Sequence, residues 1–241
     1  MCEQAWPMTW NIAFDADDTL WHNEHLYALT QKQFYELLLP YADQDNLHQR
    51  LLDTERRNLQ IYGYGVKSFT LSMIETALEV SAGKVEAAAI RQILGFGRDM
   101  LTHQIELLPE VRATLEVLGA RHNLLLITKG DLFHQESRIA MSGLGELFSA
   151  VEVVSEKDPT SYSKIFHRYH LRPSSFIMVG NSVRSDILPV LELGARAIYI
   201  PYEVTWEHEQ GDLTGVAPGR WYEASSIAEV PAIVQRFGTP G

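Results

Sequence analysis

A small group of polar residues carries side chains that could do chemistry together: Asp15, Asp17, Thr128, Lys157, Asn181, Ser185 and Asp186. Asp15 and Asp186 offer hard carboxylate oxygens of the kind Mg²⁺ prefers. That ion takes few protein ligands and completes its shell with water and substrate phosphate. A carboxylate can attack phosphorus directly, and a second one two residues on, Asp17, can manage protons. Thr128 and Lys157, a hydroxyl and an ammonium, suit phosphoryl oxygens whose negative charge shifts in the transition state. Ser185 reads as a packing or capping residue rather than a catalyst.

Each of these residues follows an apolar run. Trp10–Phe14 is a strand that ends at Asp15. A helix over about Pro109–Ala120 leads to the strand Leu124–Ile127, which ends on Thr128, Lys129, Gly130 and Asp131. A helix to Gly143 precedes the strand Ala150–Val154, which ends in Ser155, Glu156 and Lys157. A helix carrying Tyr162, Ile165, Phe166 and Tyr169 leads to Phe176–Val179, then Gly180 and Asn181, and Ala197–Ile200 is the next strand. Near-continuous apolar strands alternating with helices imply a parallel sheet covered on both faces. In open parallel sheets, ligands collect beyond the carboxyl ends of the strands.

Between the first strand and Pro109 no strand is convincing. Leu26, Leu29, Phe34, Leu37 and Leu38 recur at helical spacing, as do Phe69, Met73, Ile74, Ala77 and Leu78, with Ser68 as an N-cap and Gly83 as a stop for the latter helix. The expected fold is α/β, a doubly wound parallel sheet with an inserted helical domain. The core takes residues 1–22 and 106–241, and the insertion takes 23–105. Residues 211–220 read as a surface loop before a last short strand and helix.

The chain has 241 residues, 46% hydrophobic and 21% charged, as in ordinary globular proteins. Thirty-one acidic against twenty basic residues leave a net charge of −11, which disfavours sequence-independent binding to nucleic acid. An anionic substrate therefore needs locally placed cations. No apolar run is long enough to span a membrane, the first residues do not read as a secretory signal, and the single cysteine, Cys2, has no internal partner. A reducing, cytoplasmic location is the expectation.

The run Asp15-Ala16-Asp17-Asp18-Thr19-Leu20 resembles the Asp-x-Asp-x-Thr-Leu signature of haloacid dehalogenase superfamily phosphatases. The resemblance extends in order through Thr128, Lys157 in Ser-Glu-Lys-Asp-Pro, and Gly180-Asn181-Ser182-Val183-Arg184-Ser185-Asp186, nearly the whole chain. The helical insertion is similar to the cap that many members carry after the first motif. The resemblance implies that Asp15 is the nucleophile and Asp17 the general acid and base. It also implies Mg²⁺ held by the Asp15 carboxylate, the Asp17 carbonyl and Asp186. The activity implied is hydrolysis of a small phosphorylated metabolite, with the oligomeric state left open. Position 181 departs from the pattern: Asn181 stands where many relatives have an acid, so it contributes at most through its amide oxygen or a water, and weaker Mg²⁺ affinity is expected.

Lys129 and Lys67 are candidate cations for the substrate, and Trp21 and His22, leaving the first motif, are candidates to line the entrance with Asn23 and Glu24. The run Tyr62-Gly63-Tyr64-Gly65-Val66-Lys67 reads as a helix–helix turn that could serve as a specificity loop. No strand precedes it, which argues against a nucleotide-binding loop. His167 and His170 read as surface residues, and 206–209 as either one wall of the site or plain surface. A phosphomutase would use the same two aspartates. A dehalogenase needs neither Asp17 nor Mg²⁺, a phosphonatase lacks an acid at that position, and a receiver module would be about half this length.

Overall fold

A computed structural model describes residues 9–203, 211–217 and 219–240. Cys2 and the segment 206–209 lie outside the described residues. Six strands form one parallel sheet: β1 (Asn11–Phe14), β2 (Asn123–Lys129), β3 (Ala150–Val154), β4 (Phe176–Gly180), β5 (Arg196–Tyr199) and β6 (Trp221–Glu223). Their order is β3-β2-β1-β4-β5-β6, so the winding reverses at β1, which lies between β2 and β4. In a doubly wound sheet the crevice for ligands opens at that reversal.

The side chains of β1 show why both faces are covered. Ile12 and Phe14 point into a core closed by Val111, Leu115 and Leu118 of α5 (Val111–Gly119) and by Val230, Ile233 and Val234 of α9 (Val230–Arg236). Ala13 points the other way, toward Tyr162, Ile165 and Phe166 of α7 (Pro159–Arg168) and Val190 and Leu191 of α8 (Leu188–Glu192). Strand side chains alternate with period two, and both sets are apolar, so the strands read as unbroken hydrophobic runs. Asp158 caps α7 by accepting from the Ser161 amide at 2.7 Å, with Pro159 in the first turn.

The described residues group into two units. One comprises the described residues of 9–24, 105–129 and 137–240, and it contains the sheet. The other comprises His25–Gln104 and Gly130–Glu136. It is built on α1 (Glu24–Leu38), α2 (Gln44–Tyr62), α3 (Val66–Val80) and α4 (Ala87–Leu101). Its core holds Phe34, Leu38, Leu47, Leu51, Phe69 and Met73. Helix α6 (Leu132–Ser142) follows β2. No helix among the described residues is long and apolar enough to cross a membrane.

Several local expectations shift. Gly65, at φ 108°, precedes α3, which begins at Val66, so Ser68 lies buried inside the helix rather than capping it. The stop falls one residue before Gly83: α3 ends at Val80, Ala82 takes the left-handed conformation at φ 51° and its amide donates to the Glu79 carbonyl at 3.1 Å, and the Gly83 amide then reaches the Leu78 carbonyl at 2.8 Å. Leu29 and Leu78 are exposed, although both fit the helical spacing. Spacing identifies a helix but leaves the width of its buried stripe open.

Candidate active site

Register brings the polar strand ends to one edge of the sheet. Phe14 pairs with Leu126 and with Val179, so Asp15, Thr128 and Asn181 all emerge within two residues of one level. Asp15 extends the ladder, its amide donating to the Val179 carbonyl at 2.9 Å. Thr128 is buried at the end of β2 opposite Val153, and Lys157 follows β3.

At the centre is the ammonium of Lys157, with 2% of its side chain exposed. It donates to Asp15 Oδ1 and, at 2.7 Å, to Asp186 Oδ1. Burial opposes its charge, but the two carboxylates outweigh burial and hold its pKa above the ordinary lysine value. Burial pushes Asp15 up, to about 7, Lys157 pulls it back, and Asp186 adds to the rise. A carboxylate stripped of water in this way is a stronger nucleophile than a hydrated one, while the ammonium limits the cost of burying it.

Asn181 closes the other side of Asp15. With its amide nitrogen toward them, the orientation that matches donors to acceptors, it donates to Asp15 Oδ2 at 3.2 Å, the Asp17 carbonyl at 3.2 Å and Thr19 Oγ1 at 3.3 Å. Thr19 Oγ1 lies 3.3 Å from Asp15 Oδ2. One Asp15 oxygen and the Asp17 carbonyl therefore converge on a single point.

Asp186 lies in a π-helical turn, Val183–Ile187. The capping role falls to Ser182, whose hydroxyl accepts from the Ser185 amide at 3.0 Å; Asp186 Oδ2 accepts from the Ser182 amide at 3.0 Å. A Cβ on Gly180 would sit 2.3 Å from Asp186 Oδ2, so the strand end must be glycine for the carboxylate to lie against it. Ser185 accepts from Lys129 Nζ at 2.9 Å, and Lys129 also lies 3.7 Å from Glu156. Ser185 therefore positions Lys129.

Asp17 is held differently. Its Oδ1 receives the Trp21 indole N–H at 2.7 Å and faces Arg138 NH1 at 2.6 Å. Trp21 is fully buried, which corrects its assignment to the entrance: a ring with no exposed surface lines nothing. His22 Nδ1 lies 2.5 Å from the Tyr202 hydroxyl. Burial, then Asp18, holds that hydroxyl far above the ordinary tyrosine pKa. Asp18, at φ 60°, accepts from the Asn23 amide at 2.8 Å and the Glu24 amide at 3.1 Å, tying the motif to the start of α1. Burial and the neighbouring Asp17 push Asp18 up to about 7.

Lys67, in the helical unit, is engaged by Asp131 of that unit at 3.0 Å. His167 and His170 are exposed. Sequence reasoning passed over two residues, Thr19 and Arg138. Thr19 stands inside the first motif, where its hydroxyl could have been noticed. Arg138 is one cation on an ordinary amphipathic helix and carries no sequence signal. Among the described residues no cluster of three or more His, Cys, Asp or Glu side chains is arranged to hold a metal.

The sequence model of the haloacid dehalogenase-like hydrolases matches residues 11–194. A crystal structure of a haloacid dehalogenase-like family hydrolase from Xanthomonas campestris is 40% identical, with a TM-score of 0.86 over 98% of this chain and 95% of that one. A glyceraldehyde 3-phosphate phosphatase from Pyrococcus furiosus is 24% identical over 200 residues, 79% of this chain and 80% of the relative. A 2-haloacid dehalogenase from Pseudomonas syringae shares the fold at 20% identity, with a TM-score of 0.63 over 96% of this chain and 100% of that one. The ordered strand-end motifs, the sheet that carries them and the match over residues 11–194 place this chain in the haloacid dehalogenase-like hydrolase family.

Proposed function

We propose that this hydrolase is a phosphatase acting on small phosphomonoesters through an aspartyl-phosphate on Asp15, with Mg²⁺ as cofactor. The observation that carries the reading is Asp17: a second carboxylate two residues from the nucleophile, 24% exposed and oriented by two donors. Displacement of a halide requires no proton donor, whereas departure of an alkoxide does. The phosphatase among the relatives supports the same reading, and the dehalogenase with the shared fold is the alternative it must beat.

The donor set fits the metal. Asp15 Oδ2 and the Asp17 carbonyl converge to within 3.2 Å of one amide nitrogen, and Asp186 is drawn to the same Lys157 ammonium as Asp15. Two carboxylates and a carbonyl are the few hard oxygens Mg²⁺ accepts. When bound, the ion would neutralise phosphoryl oxygens and orient the group. The Asp15 carboxylate attacks phosphorus, the ester P–O bond breaks, and Asp17 gives the departing oxygen its proton. Water, losing a proton to Asp17, then attacks the phosphorus of the aspartyl-phosphate, which releases phosphate and restores Asp15. Lys157 and Thr128 hold phosphoryl oxygens through both steps. Lys129 and His22 are assigned to the substrate's surroundings. The helical unit would act as the cap that selects the substrate, with Lys67, now paired to Asp131, as the cation it offers.

The test is release of inorganic phosphate from p-nitrophenyl phosphate and a panel of natural phosphomonoesters, with and without Mg²⁺, alongside Asp15→Asn. Metal-dependent turnover that the variant loses supports the reading. Absence of phosphate release across the panel, together with halide release from a 2-haloacid, would overturn it. Phosphoryl retention on the organic product would reassign the chain as a mutase.

A further inference from the structure

We propose that Arg138 and the Trp21 indole form a clamp that positions Asp17 for protonating the leaving group, so that this chain's activity toward poor leaving groups depends on Arg138. The inference rests on the phosphatase reading above and adds two residues to its machinery.

The geometry is specific. Both donors converge on one oxygen, Asp17 Oδ1, at 2.6 Å from Arg138 NH1 and 2.7 Å from Trp21 Nε1. Two donors on one carboxylate oxygen fix the plane of the group and determine where its other oxygen points. Proton transfer needs that precision, since the acid must lie within hydrogen-bond reach of the departing atom.

The clamp is itself held. Arg138 has 8% of its side chain exposed. NH1 also donates to Asn23 Oδ1 at 2.7 Å, NH2 donates to the His22 carbonyl at 3.3 Å, and the guanidinium carbon lies 5.5 Å from the Trp21 ring centroid. Asn23 and His22 are in turn fixed by Asp18, which accepts the Asn23 and Glu24 amides, and by Tyr202. A merely structural salt bridge would not need an indole N–H on the same oxygen, nor a guanidinium locked at four points.

The experiment compares kcat/KM for p-nitrophenyl phosphate, whose phenolate leaves without a proton, with kcat/KM for an alkyl phosphate, whose alkoxide needs one. Because kcat/KM covers the steps up to ester cleavage, it isolates Asp17 acting as acid from its later action as base. Arg138→Met and Trp21→Phe should each lower the alkyl value on the order of 10²-fold, within the range one general acid supplies. The aryl value should stay within about threefold. Asp17→Asn should lose alkyl activity at least as far, and Asp17→Asn/Arg138→Met should be no worse on the alkyl ester than Asp17→Asn alone, because the residues act as one unit. Arg138→Lys should restore part of the alkyl activity. Equal losses on both esters, or additive losses in the double variant, would overturn the clamp while leaving the phosphatase reading intact. An inactive wild type on both esters would sink both. If Arg138→Met does not fold, Trp21→Phe carries the same split.

Discussion

Replacing Glu55 with Gln should make the protein more stable at pH 8 and leave it nearly unchanged at pH 4. Glu55 lies on α2 with 8% exposure, and burial pushes its carboxyl up from 4.5 to about 7. Burial together with Glu55 also raises the Tyr35 hydroxyl, to about 12. Because the folded form holds the proton more tightly than the unfolded chain, the folded state is favoured most below 4.5. That advantage disappears as the pH climbs through 7. At 1.36 kcal/mol for each pH unit of separation, the loss between those limits is about 3 kcal/mol. The amide cannot ionise, so Glu55→Gln removes this dependence. The measurable quantity is the stability gap between variant and wild type at pH 8 minus the same gap at pH 4, from urea denaturation followed by circular dichroism. The cost of burying the amide is the same at both pH values and cancels in that difference. A value of about 3 kcal/mol in favour of the variant is expected. A gap independent of pH would mean that Glu55 is hydrated or paired in solution, and the burial argument would fail.

Gly180→Ala places a Cβ 2.3 Å from Asp186 Oδ2 and must displace that carboxylate. If the proposed phosphatase reading holds, kcat/KM for phosphate release should fall by about 10²-fold, as a misplacement of about an ångström does, with secondary structure retained by circular dichroism. Asn181→Asp sets a third carboxylate beside Asp15 Oδ2 and the Asp17 carbonyl, so the metal-free protein should melt lower and bind Mg²⁺ about tenfold more tightly, read from thermal shift against Mg²⁺ concentration. An unchanged Mg²⁺ response would place Asn181 outside the metal's reach. Lys157→Met leaves Asp15 and Asp186 buried without their shared cation. It should cost about 3–5 kcal/mol in urea denaturation, with part restored by millimolar Mg²⁺.

The site was legible in outline because each polar cluster ends an apolar run, and a parallel sheet brings such ends to one edge. Asp15, Thr128, Lys157, Asn181 and Asp186 could be named without coordinates for that reason. Strand limits drifted by a residue: β1 starts at Asn11 rather than Trp10, and β5 ends at Tyr199 rather than Ile200. Hydrophobicity marks the buried run, whereas hydrogen-bond register marks the strand.

Other features depend on atoms far apart in the chain, and periodicity cannot report them. Arg138 meets Asp17 across more than a hundred residues, and neither residue type foretells the pairing. Trp21 follows the first acidic motif, yet it turns inward because its indole N–H finds Asp17 and its ring fills the core. Lys67, a cation a phosphate could use, is held by Asp131. Residue types and their order along the chain establish the family, the sheet and the acids at its edge. The partner that each acid or cation faces is set by packing, because a charge taken out of water must find its counter-ion wherever the fold supplies one.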